Sequence, residues 1–255
     1  MNYPTSLHKD VSTTICEFFN KTDSIDSILL VNSCARGTAI ATSDLDLAIL
    51  VNENISKIEK DAITTNWLKF KKSNQVIRSF EDGNIKNIVH LDIIDGNYQF
   101  SEWDDGGGPD FSEIEIGNQI AHSYPLKEGE FFGQLKKKWL PFYDESLRLQ
   151  RLEMVRNACL HDLEKVSINV KRELYFQAFD RLYKSFQQFL QALFIKNKVY
   201  PIAYNKWIKE QIEEFLNLPE LYPQLLSIFS ISNISSEILS EKSIELKRLL
   251  LEYAF

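Results

Sequence analysis

The sequence predicts an α/β (α+β) fold: a mixed β-sheet flanked by helices in the N-terminal half, then a C-terminal α-helical bundle. Three observations predict it. Up to about residue 125, short β-branched runs alternate with loops rich in Gly, Asn, Asp and Ser. From about Glu128 onward, long runs repeat their apolar residues every three to four positions. The composition is 44% hydrophobic and 25% charged over 255 residues, the balance of a globular chain with room for two modest domains.

The elements follow in order. Ser27–Val31 is a buried strand closed by the polar pair Asn32-Ser33. Asp44–Val51 is a second strand, followed by a helical stretch near Ile55–Phe70. Val76–Phe80 and Asn87–Asp95 read as strands flanking the hairpin turn Glu81-Asp82-Gly83-Asn84. Asn97–Asp110 is a loop carrying Gly106-Gly107-Gly108-Pro109, and a last short strand is expected near Ser112–Ala121. Helices are expected over Glu145–Val170, Arg172–Lys196, Asn205–Leu216 and Ser235–Tyr253. In the second of these, Phe176, Phe179, Leu182, Tyr183, Phe186, Phe189, Leu190, Leu193 and Phe194 fall on one face, expected to be the buried face of a bundle helix. The boundary is placed within residues 125–144, giving domains 1–127 and 128–255.

Several function classes are excluded at this point. The longest uncharged apolar runs, such as Ile28–Val31 and Leu47–Val51, are far too short to span a bilayer, so no membrane partner is expected. Residues 1–10 contain no apolar signal core, and Cys16, Cys34 and Cys159 form no C-x-x-C pair. Both fit a reducing cytoplasmic location. Residues 1–150 carry 15 Lys+Arg against 23 Asp+Glu, and residues 151–255 carry 14 against 13. An acidic half argues against general nucleic-acid binding and suits a cationic small molecule or divalent metal.

The chemistry concentrates in residues 31–47, Val-Asn-Ser-Cys-Ala-Arg-Gly-Thr-Ala-Ile-Ala-Thr-Ser-Asp-Leu-Asp-Leu. A strand runs into a small polar turn that starts a helix, whose free N–H groups and Ser33 hydroxyl can hold phosphate. The chain then re-enters a strand with Asp44 and Asp46, two positions apart and hence on one face. Two convergent carboxylates repel unless a divalent cation lies between them. Phosphate cradle and carboxylate pair together are equipment for metal-assisted phosphoryl or nucleotidyl transfer. A third carboxylate is offered by Asp92 or Asp95. Alternation puts Asp92 with Ile88, His90 and Ile94 on the mixed face, while Asp95 precedes Gly96 and suits a turn, so Asp92 is chosen.

Asn32-Ser33 followed by Ser43-Asp44-Leu45-Asp46 resembles the signature of the DNA polymerase β-like nucleotidyltransferase superfamily, a Gly-Ser turn followed after about ten residues by an Asp-x-Asp strand. Ala35–Ala39, Ser43 and Ile120–Leu126 are similar to the small, antibiotic-modifying branch. Leu193–Pro201 with Asn205-Lys206-Trp207 resembles the helical C-terminal domain of aminoglycoside and lincosamide nucleotidyltransferases. One departure is Asn32, where the family has glycine; Asn tolerates unusual backbone angles, so the turn is expected to survive.

The resemblance implies a nucleotidyltransferase domain joined to the helical domain, with the active site in a cleft between them. It implies a magnesium-dependent adenylyltransferase that moves AMP from ATP to a hydroxyl of a small acceptor, releasing pyrophosphate. Asp44, Asp46 and Asp92 would be the catalytic and Mg²⁺-binding residues. Asn32, Ser33 and Ser43 would line the nucleotide site. For Arg36, a triphosphate contact and a surface ion pair stand even, and for Lys206 a triphosphate contact stands beside simple solvation. His90 and His122 read as core or rim residues. Glu102, Asp104, Asp105, Asp110, Glu113 and Glu115 form a stretch without a base, read either as a solvated loop or as a surface for a cationic acceptor. Tyr200, Tyr204 and Trp207 are candidates to wall the cleft. Two other readings remain: adenylylation of a protein or RNA partner, and a nucleotide-binding regulatory protein without turnover.

Overall fold

The structure, a computed structural model, describes residues 3–83 and 87–255. The chain divides into two units, Met1–Tyr98 with Ile116–Leu140 and Gln99–Glu115 with Pro141–Phe255. This division differs from a single boundary between 127 and 128. The acidic segment belongs with the helices, and residues 128–140 belong with the sheet.

In the first unit, α1 (Ser6–Phe19) starts where the Thr5 hydroxyl accepts the His8 N–H, and it buries Val11, Ile15 and Phe19 along one stripe. β1 (Ile25–Leu30) leads into the single turn α2 (Asn32–Arg36) and then β2 (Leu45–Val51). The helix α3 (Lys57–Ser73) opens with a capping box between Ser56 and Glu59.

The next segment departs from expectation. Val76–Phe80 lies within helix α4 (Gln75–Glu81) rather than a strand. Asn74 accounts for it: its Oδ1 accepts the N–H groups of Val76 and Ile77, satisfying the first turn. Ile77 and Phe80, one turn apart, both enter the core. The β-branched run suggested a strand, but the cap and the spacing decide for a helix. Of the expected turn, Asn84 lies outside the described residues.

β3 (Val89–Ile94) pairs parallel with β2, and the expected hairpin is lost because its other arm, Val76–Phe80, is helical. Residues 112–121 are likewise helical: α5 (Ser112–Ile116) continues into a π turn over Gly117–Ala121. Asp110 Oδ1 accepts the Ser112 N–H at 2.9 Å, and Ile116 and Ile120, four apart, are both buried. The strand here is instead β4 (Tyr124–Lys127), followed by α6 (Glu130–Trp139). The sheet order among the described residues is β3-β2-β1-β4, with β1 antiparallel to both β2 and β4. Odd-numbered side chains of β2, from Leu45 to Val51, join Ile28 and Leu30 in a core with α1, α3 and α4.

The second unit is built on α7 (Glu145–Lys171), capped by Asp144, and α8 (Tyr175–Asn197), which pack along each other. α9 (Ile208–Glu210) runs into a π turn at Gln211–Phe215, then α10 (Leu221–Ile228) and α11 (Ile238–Tyr253) follow. The expected face of α8 is buried from Leu182 to Phe194 except for the half-buried Tyr183, but Phe176 is 85% exposed and Phe179 is 36% exposed. Periodicity marks a face without marking where along the helix its neighbours begin; here the buried stripe starts at Ala178. Tyr200 and Tyr204 are core residues of this unit rather than walls of a cleft. No helix among the described residues is long and apolar enough to cross a membrane.

Candidate functional site

The turn after β1 is set by two backbone angles. Val31 is extended, and Asn32 then adopts a left-handed conformation with φ 56°. Glycine meets such an angle without cost and Asn is among the side chains that tolerate it best, so Asn32 keeps the turn that a glycine would make. α2 closes after one turn at Gly37, φ 75°, whose N–H returns to the carbonyls of Ser33 and Cys34. The Ser33 carbonyl accepts from Thr38, while the Ser33 hydroxyl has no side-chain hydrogen bond among the described residues.

Ser43 serves the backbone. Its N–H donates to the Ile40 carbonyl at 2.8 Å, and its Oγ accepts the Ile40 N–H at 2.9 Å. Its carbonyl accepts from His8 Nε2 at 2.9 Å, and His8 is buried with Nδ1 against Thr5 Oγ1. α1 therefore holds the residue that precedes Asp44. Nothing in the local sequence links positions 8 and 43, and sequence reasoning missed His8.

Asp44 Oδ1 accepts the Ile88 N–H at 2.7 Å, and Oδ2 lies 3.5 Å from His90 Nε2. The β2–β3 register pairs Asp46 with His90 and Ala48 with Asp92. Residues paired across a sheet project to the same side, so Asp46, His90 and Asp92 share one face. Asp95 lies outside this group: Lys60 Nζ meets its Oδ2 at 2.9 Å and the Asn97 N–H meets its Oδ1. Burial raises the Asp95 pKa, but the Lys60 bond and the Asn97 amide outweigh it and lower the carboxyl below its usual range. At the β3 edge a depression of about 660 Å³ is lined by Asp46, His90 and Asp92 and, from α3, by Lys60 and Lys71.

Cys34 lies behind this face, its Sγ 3.6 Å from the Asp44 carbonyl. Burial, then the charges of Asp46 and Asp44, push the thiol up to about 11, so it is neutral and not a nucleophile.

Other expected residues lie on other elements or are put to other use. Arg36 is half-buried at the end of α2, and Lys206 lies exposed before α9 in the helical unit. His122 follows the π turn, its N–H donating to the Gly117 carbonyl. Among the described residues, the one trio whose ligand atoms lie within 4.8 Å of one another is Asp105, His161 and Asp162. There Arg181 already bonds both carboxylates. Asp44, Asp46 and Asp92 are brought to one region of the sheet without reaching that closeness. The acidic segment is not one continuous solvated surface: Arg181 takes Asp105, and Arg151 takes Asp110 and the fully buried Glu113.

No family model matches the chain, and no curated protein matches it. Among solved structures, the chain is similar to the crystal structure of a nucleotidyltransferase-like protein from Exiguobacterium sibiricum 255-15. The match has a TM-score of 0.45 and 14% identity, over 96% of this chain and 74% of that chain.

Proposed function

We propose that the chain is a Mg²⁺-dependent nucleotidyltransferase that moves a nucleoside monophosphate, AMP from ATP, to a hydroxyl of a small molecule such as an aminoglycoside or lincosamide antibiotic. The observation that carries this reading is the β2–β3 register, which puts Asp46 and Asp92 on one face with Asp44 at the entry to β2. The donor set is all carboxylate oxygen, the ligand type that hard divalent cations take, so these three residues match Mg²⁺ in donor type, and binding would draw their oxygens closer together than they lie here. When bound there, the cation supplies charge neutralisation for the triphosphate.

The chain's own residues divide the remaining work. The Asn32-Ser33 turn and the Ser33 hydroxyl hold the β- and γ-phosphates, with Arg36 as a further phosphate contact. Ser43, fixed by Ile40 and His8, sets the approach of the backbone to Asp44. Asp92 accepts the proton of the attacking hydroxyl.

The test is direct. The protein is incubated with MgCl₂, α-labelled ATP and panels of aminoglycosides and lincosamides, and pyrophosphate and labelled product are followed. Label transfer that needs both Mg²⁺ and Asp46 supports the proposal. Absence of transfer to every acceptor, with no pyrophosphate released, overturns it.

A further inference from the structure

The sheet order puts β3 at an edge among the described residues, with one side of its backbone turned away from β2. Ile88, whose carbonyl accepts the Leu45 N–H, points toward β2, and alternation turns Val89, Leu91 and Ile93 outward. Val89 is already answered there: its N–H donates to Glu81 Oε1 at 2.9 Å and its carbonyl accepts from Lys71 Nζ at 2.9 Å. Past Ile94 the edge ends at Asp95, which Lys60 holds. Between these two stops, the N–H and C=O groups of Leu91 and Ile93 have no hydrogen-bond partner among the described residues. Both residues line the depression of about 660 Å³ at the β3 edge, to which α3 contributes the exposed Thr64 and Leu68.

Alternating donors and acceptors along a strand edge, beside a helix, match one kind of ligand, another strand. We propose that this edge takes an extended polypeptide segment of a partner protein, added antiparallel to β3. In that pairing one residue of the segment lies opposite Leu91 and another opposite Ile93, and the two together meet all four backbone groups. Their side chains fall on the side of the sheet that α3 covers, beside Leu68, and so are apolar. The residue between them projects to the face of Asp92 and Asp46, where charge complementarity selects Lys or Arg. A second copy of this chain is a poor occupant: β3 paired with its own copy in the register that satisfies Leu91 and Ile93 sets two Asp92 carboxylates side by side. The proposal does not rest on nucleotidyl transfer, because binding is read with neither nucleotide nor Mg²⁺ present.

The experiment is calorimetric titration of the full chain, in metal-free buffer, with the acetylated and amidated peptide Thr-Val-Lys-Val-Thr. Saturable binding is expected. Methylating the backbone nitrogen of either valine, which removes a donor to Leu91 or Ile93, should weaken it by about tenfold. The same methylation at the lysine, whose N–H points away from β3, should leave it unchanged. Glutamate in place of the lysine should weaken it by about fivefold. Leu68→Arg, a change at an exposed helix position whose fold is checked by circular dichroism, should weaken it as well. The proposal is overturned if the peptide does not saturate, if methylation at lysine and at valine costs the same, or if Leu68→Arg binds as well as the original chain. It is also overturned if the chain alone sediments as a dimer that Leu68→Arg dissociates, for the edge then belongs to a second copy.

Discussion

Arg151 and Glu113 form an ion pair shut away from water: Arg151 Nε and Nη2 lie 2.7 and 2.6 Å from one Glu113 oxygen, and the residues are 3% and 0% exposed. Tyr143 Oη and Gln191 Nε2 donate to the same carboxylate, and Arg151 Nη2 also reaches Asp110 at 3.1 Å. Desolvating both charges is costly, so the pair is worth most when judged against losing one partner. Arg151→Met should destabilise the chain by about 3–5 kcal/mol, and adding Glu113→Leu should recover part of that loss. Urea unfolding midpoints measure both. A cost below about 1 kcal/mol for the single change would show that Arg151 does not secure the segment.

The β2–β3 register separates two aspartates three positions apart. Asp92→Asn, and equally Asp44→Asn and Asp46→Asn, should lower nucleotidyl transfer by orders of magnitude while circular dichroism stays unchanged. Asp95→Asn should keep activity and cost at most about 1 kcal/mol, since its Lys60 partner is partly solvated. Inactivity of Asp95→Asn beside an active Asp92→Asn would reverse the assignment.

The left-handed Asn32 and the Ser33 hydroxyl make different demands. Asn32→Ala should cost about 1–2 kcal/mol of stability, because Ala meets φ 56° with no local compensation. Ser33→Ala should leave stability alone and raise the KM for ATP by the equivalent of about 1.5–3 kcal/mol. An unchanged KM would remove Ser33 from the phosphate site.

Sequence pattern was informative where one element's face is decided locally. β1, β2 and β3 appear within two residues of expectation, and the parity that chose Asp92 over Asp95 matches the register. It was uninformative where a distant partner or a single cap decides. The Asn74 cap turned an apparent strand into α4. His8 acts on Ser43 from 35 positions away, and the partners of Asp105, Asp110 and Glu113 lie on α7 and α8. An acidic run looks solvated until those helices bring Arg151 and Arg181 to it.

Glu145 predicts an acid limb. Arg148 and then Lys198 hydrogen-bond its carboxylate and lower it to about 2. A carboxyl with a depressed folded-state pKa adds stability above its ordinary range and loses it as pH falls toward the folded value. The original chain should therefore melt above Glu145→Gln at pH 6, with the gap closing between about pH 5 and pH 2. Added salt should narrow the gap at pH 6, since the carboxylate is solvated. A gap that widens on acidification would reverse the sign assigned here.

The three thiols offer a separate check. Burial pushes Cys16 and Cys34 up to about 11 and raises Cys159 further still. At pH 8 the native chain should react with a disulfide reagent far more slowly than free thiol, and all three should react in urea. Prompt native labelling of Cys34 would show that the face behind Asp44 opens to solvent.

The path of the chain between its two units has a consequence for synthesis. It changes unit at 98/99, 115/116 and 140/141. A nascent chain that has reached residue 140 already holds β1–β4 and α6, so the sheet can close early. Glu113 has been made by then, and the arginine that answers it has not. Residues 99–115 must wait on the growing chain, with an acidic group destined for burial still in water, until α7 and α8 leave the ribosome. The same order forbids a clean cut: a fragment ending at 140 carries Glu113 without Arg151, and one starting at 141 carries Arg151 without Glu113. Each piece lacks the charge that the other holds, and only when both are present can the helical half complete its interior.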